Sequence, residues 1–143
     1  MEESYIAYAI MPFVAWLVAG SSKFVINSIR AKQLAFGLIG YGGMPSNHSA
    51  IVSSMAALIA FNEGIHHPAF GVALALAFIV LLDANSLRRQ IGKQAEVINQ
   101  LQLHIHGQTD EKPLRERIGH TKLELFGGVI VGVLTAYGVH LFL

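Results

Sequence analysis

The stretch LELFGGVIVGVLTAYGVHLFL, residues 123–143, decides the fold. A helix needs about 20 apolar residues to cross the ~30 Å hydrocarbon core of a bilayer. This stretch supplies them, with Glu124 standing at its entrance. Upstream, PAFGVALALAFIVLL (residues 68–82) is uninterrupted and runs into Asp83. Residues 5–20 form a third apolar run, carrying Trp16 and two tyrosines, side chains that favour membrane interfaces. That run is short for a span and is expected to extend into Ser21 and Ser22. Residues 46–61 are apolar but studded with serine, which suits a helix buried among its neighbours.

Composition agrees with these spans. Of 143 residues, 53% are hydrophobic and 13% charged, against roughly 25% charged in a soluble domain. The formal net charge of +1 excludes a strongly basic nucleic-acid binder. Cysteine is absent, so there is no disulfide, thiolate metal site or cysteine nucleophile. The acidic start MEESYIAYAI lacks the basic n-region of a secretory signal, so the first apolar run is expected to stay as a membrane helix.

Two pieces do not span. QLAFGLIGYGG (33–43) is apolar but too short, and is expected to be a re-entrant or interfacial segment. In residues 86–103, Leu87, Ile91, Val97, Ile98 and Leu101 recur at mostly helical spacing, as in a cytoplasm-facing extension of the third membrane helix. HIHGQTDEKP follows as a polar loop ended by Pro113. The expectation is an all-α integral membrane helical bundle of about four spans plus the short segment, in one domain covering 1–143. The charges cluster at 21–32, 88–96 and 110–124, all on one side of such a bundle. The positive-inside rule makes that side cytoplasmic. The small residues of GGVIVGVLTAYG allow close helix approach and hint at tight packing or self-association.

Four motifs on that side bear chemistry. In GYGGMPSNHSA, Pro45 suits a helix's first turn, and Ser46 or Asn47 can cap it. The free N–H groups of such a turn favour an anion, and His48 there can donate a proton. Lys23 and Arg30 lie seven residues apart, on one helix face. His120 and Glu124 lie at i, i+4, where a carboxylate fixes an imidazole's tautomer, as for an activated nucleophile or base. Asp83, an acid at the end of an apolar span, is followed by Arg88 and Arg89, a pair able to clamp phosphate oxygens. Each motif alone also has an ordinary structural reading: a helix cap, cations snorkelling to headgroups, an interfacial ion pair, a cytoplasmic anchor. The remaining histidines scatter without metal-ligand spacing. Together the four segments bring cations, a helix N-terminus, an acid and a nucleophile to one membrane face, the parts phosphoryl chemistry uses.

Lys23-x6-Arg30, Pro45-Ser46-Asn47-His48 and His120-x3-Glu124 resemble the signature of the type-2 phosphatidic acid phosphatase and vanadium-haloperoxidase superfamily. With DANSLRRQIGKQAEVINQL and GHTKLE, the chain looks like the divergent branch of small membrane proteins within it. The resemblance implies His120 as nucleophile, Glu124 as its orienting group and His48 as acid to the leaving oxygen. Lys23, Arg30, Ser46, Asn47 and one of Arg88 or Arg89 would hold the phosphate, with Asp83 and Arg117 in support. It implies no metal and no cofactor. The substrate would be a phospholipid or a polyprenyl phosphate, met among membrane lipids, and nucleic acid has no part. The alternative is a non-catalytic membrane module binding anionic lipid or phosphate. Ala31 stands where the signature has Pro, Asn47 where it has Gly, Glu124 where it has Asp, and Leu114 where it has the third motif's Arg. Membrane members of the superfamily have about six spans. This chain has fewer, and a homodimer would complete the bundle.

Overall fold

The computed structural model describes residues 2–32, 43–107 and 112–143. The expected re-entrant segment lies almost wholly at 33–42, outside the described residues. Among the described residues five helices follow in order: α1 (Glu2–Ala31), α2 (Asn47–Asn62), α3 (Pro68–Leu82), α4 (Arg88–His106) and α5 (Lys122–His140), with a π turn, Asp83–Leu87, joining α3 to α4. Among the described residues three stretches are long and apolar enough to cross a membrane: Tyr5–Ala31, Pro68–Ile105 and Lys122–His140. The shorter α2 completes a helical bundle, packed on α5, α1 and α3.

The serines of α2 face the glycines of α5. A methyl group on Gly132 would collide with Ser53 Oγ and the Ala50 carbonyl, and one on Gly128 would come within 2.7 Å of Ser49 Cβ. Bare backbone at these positions lets the two helices approach, as small-residue pairs do in lipid. Ser53 Oγ donates to Ser49 O at 2.6 Å, which satisfies the hydroxyl within its own helix. The small residues of α5 therefore serve packing inside the chain. Met11, Ala15, Leu58 and Ala136 form the apolar centre between α1, α2 and α5.

The extension of the third helix is present, and its joint is specific. In the π turn the Arg88 amide donates to Asp83 O, one residue beyond its α-helical partner. This frees the Ala84 carbonyl, which accepts from the His120 amide at 3.0 Å. The incoming segment 112–120 runs back along α4. Asn99 holds it by two bonds of 2.8 Å to the Leu114 backbone and one of 2.9 Å to Glu116 Oε1. Gly92 lies under it, since a Cβ there would strike the Glu116 carbonyl. Gly119, at φ +99°, takes a left-handed turn against Arg89 that a side chain would resist.

Candidate functional site

Four chain segments meet where α2 and α5 begin and α3 ends. Ser46 caps α2: its hydroxyl accepts from the Ser49 amide, and its own amide donates to Glu124 O at 3.0 Å. Pro45 thus precedes the cap, whereas the sequence suggested it for the first turn. Helix geometry leaves the amides of Asn47 and His48 as donors at this end. Thr121 caps α5 in a reciprocal box: Glu124 N–H donates to Thr121 Oγ1 at 3.2 Å, and Thr121 N–H to Glu124 Oε2 at 2.9 Å.

The same Glu124 oxygen lies 3.2 Å from His120 Nδ1. One carboxylate therefore starts the helix and fixes the imidazole. As the carboxylate only accepts, Nδ1 carries the proton and Nε2 keeps its lone pair. His120 is 8% exposed. Burial holds its pKa below the ordinary imidazole range, opposed by Glu124 and reinforced by the charges of Lys23 and Arg88. The ring is thus kept neutral, as a nucleophile requires.

The rings of His48 and His120 are neighbours, with centroids 5.9 Å apart and planes tilted by 60°. Lys23, half-buried on α1, lies within electrostatic reach of Glu124. Arg88 reaches the site from the π turn, its Nε bonded to Asp83 Oδ2 at 3.1 Å. Buried polar atoms without a protein partner gather here: among the described residues, Asn47 Oδ1, His48 Nδ1, Ser49 Oγ and Asn85 Oδ1. Such atoms are rare in native interiors, and each would gain from a polar partner. Among the described residues no three His, Cys, Asp or Glu side chains converge as metal ligands would.

The structure brings together Lys23, Ser46, Asn47, His48, Asp83, Arg88, His120 and Glu124. Arg30 is exposed near the end of α1, and Arg89 and Arg117 are exposed. Reading the sequence missed Thr121, whose signal was present as the capping box Thr121-x-x-Glu124. It also missed Asn85 and Asn99, which no local pattern marks.

The Divergent PAP2 family matches residues 5–135. The chain belongs to that family. The uncharacterized membrane protein YuiD of Bacillus subtilis (strain 168) is 33% identical to it, over 78% of this chain and 80% of its own length. No solved structure matches. With three apolar helices of spanning length, the chain is a membrane protein of this family.

Proposed function

We propose that this membrane protein is a metal-independent lipid phosphatase, hydrolysing a phosphomonoester or pyrophosphate headgroup through a phosphohistidine. One observation carries the reading: a buried His120, oriented by Glu124, neighbours His48 within the field of two cations. His120 Nε2 attacks phosphorus while the bond to the headgroup oxygen breaks. Burial, with Arg88, His120 and Lys23 nearby, lowers the His48 pKa against Asp83, so His48 takes up its proton with the incoming phosphate dianion and gives it to that oxygen. Neutral His48 then takes a proton from water, whose oxygen attacks phosphorus as the P–N bond breaks. Inorganic phosphate leaves, with His120 neutral and His48 protonated again. Lys23, Arg88, the Ser46 hydroxyl, the Asn47 amide and the first N–H groups of α2 offset the charge on the phosphoryl oxygens. The clustered cations on this side favour a cytoplasmic site.

The test is phosphate release from phosphatidate, phosphatidylglycerophosphate and polyprenyl pyrophosphate by purified protein in detergent with a chelator. Release by the wild type, lost in His120→Ala and His48→Ala, supports the reading. No release across the panel, or unchanged rates in both variants, overturns it. A second reading is favoured by the Asp83–Arg88 ion pair, which engages Nε of the guanidinium whose charge acts on both histidines. A site built so would bind phosphate or an anionic headgroup without turning it over. Vanadate binding without turnover would select that reading.

A further inference from the structure

The strap 112–118 leaves the rest of α4 open. Gly92, Ala95 and Asn99 are buried on one side of the helix. About 100° around, a second stripe is exposed: Leu87, Ile91, Gln94, Ile98, Leu101 and Ile105. These residues repeat in heptads, with Ile91, Ile98 and Ile105 at position a and Leu87, Gln94 and Leu101 at position d. Isoleucine at a with leucine at d is the pattern of a two-stranded parallel coiled coil, and a polar residue in the seam sets register. The charged Lys93 and Glu96 fall outside the seam, and Arg88 at its edge is held by Asp83. A shallow groove lined by Lys93, Gln94, Val97 and Ile98 flanks it.

Length places this stripe beyond the lipid. The continuous stretch Pro68–Ile105 spans 38 residues, roughly 57 Å of helix against about 30 Å of hydrocarbon. From Arg88 on, α4 bears the charges that end the apolar run, so its isoleucines stand at or above the membrane surface. Their half-exposed side chains on two copies would remove roughly 1,000 Å² from water, the lower bound for a specific interface.

We propose that α4 is the dimerisation element of this protein, its Ile/Leu seam meeting the same seam on a second copy as a parallel coiled coil. Copies inserted in one membrane with one orientation project α4 in the same direction and from the same depth. A parallel, in-register pairing is the one that arrangement supplies without further adjustment. Gly128 and Gly132 of α5 cannot serve instead, because α2 covers them. The dimer does not rest on the phosphatase reading.

The chain lacks cysteine, so single introduced thiols report the interface directly. Full-length Ile91→Cys and Ile98→Cys, at seam positions, and Glu96→Cys and Gln100→Cys, off the seam, are oxidised in membranes at several lipid dilutions. The seam variants are expected to give disulfide-linked dimers at least about fivefold more abundant than the off-seam variants, persisting on dilution. In parallel, Ile98→Asp with Leu101→Asp should convert the detergent-solubilised protein from dimer to monomer with helical content unchanged. Equal or absent cross-linking at all four positions overturns the proposal. So does a dimer of unchanged mass in the folded double-aspartate variant, which would place any dimer contact elsewhere or assign the seam to lipid.

Discussion

At one end of the bundle, His140 Nδ1 is bonded to Asn62 Oδ1 and Tyr8 donates to Glu63 Oε1 at 2.9 Å. Phe61 packs against both Tyr137 and His140. At the other end, His48 Nδ1, Asn47 Oδ1 and Asn85 Oδ1 are buried without a protein partner, and two histidines are neighbours within the field of Lys23 and Arg88. Both ends hold histidine, asparagine and an acid. The difference is in partners: one end closes its polar groups on each other across α1, α2 and α5, while the other leaves several buried without a protein partner. A polar group left open in a bundle core carries a desolvation cost, and a ligand that meets it recovers that cost. The first end is a latch, and the second is built to receive something polar.

The sharpest way to break this comparison is to remove one histidine from each end. His120→Ala should lower phosphate release by about 10³-fold or more, as loss of a nucleophile does, with the fold intact by circular dichroism. His140→Ala should leave the rate within about twofold and lower the thermal midpoint, since a buried hydrogen bond contributes about 1 kcal/mol. Equal losses of activity would erase the distinction between the ends.

Glu124 sharpens the same contrast, because its carboxylate acts on His120 and on the start of α5 together. Glu124→Gln should reduce the rate by roughly 10³-fold through the wrong tautomer and a weakened imidazole. The sign of its pH effect follows from the charges. Protonated His120 cannot attack, so activity falls as pH drops through its pKa. Burial already lowers that pKa and Glu124 is the group opposing it. Removing the charge lets the pKa fall further, so the acid limb of the residual activity should move to lower pH. A limb displaced upward would contradict the assignment of His120 as the neutral nucleophile.

Smaller effects are expected where the site is positioned rather than built. Asn99→Ala frees the strap that delivers His120 and should cost about tenfold in kcat, with KM little changed. In the packing between α2 and α5, Gly132→Val forces the helices apart and should destabilise by about 1–3 kcal/mol. Gly138→Ala, where nothing lies within 4 Å, should raise the thermal midpoint slightly, since alanine is the better helix former.

Much of this architecture was legible in the residues. Span length and charge gave the helices, the run through Asp83 into residues 86–103 gave the long third helix, and i, i+4 spacing gave the His120–Glu124 pair. Of the two candidate caps, Ser46 and Asn47, the structure uses Ser46. Other features left no local trace. A π turn differs from an α-turn by one shifted hydrogen bond, and DANSL does not announce it. Yet that shift frees the Ala84 carbonyl that anchors His120. Asn99 finds its partner 15 residues away in a segment without periodicity. The spacing Lys23-x6-Arg30 puts both cations on one face, but two turns are about 10.5 Å of rise. Sharing a face is not sharing a site: Lys23 reaches Glu124 and Arg30 stands exposed. The choice between Arg88 and Arg89 likewise depended on the turn between α3 and α4, since adjacent residues point about 100° apart.

The central claim, that the open end of the bundle performs phosphoryl transfer on His120, is tested most directly by trapping its intermediate. Purified protein carrying His48→Ala, mixed with a pyrophosphate-bearing lipid whose leaving group needs no proton, is quenched in alkali within one turnover and digested for mass spectrometry. The account predicts a phosphoryl group on His120, absent from the His120→Ala control and from His140. Phosphate released with no modified histidine at any time point, or a phosphoryl group found on another residue, would contradict it.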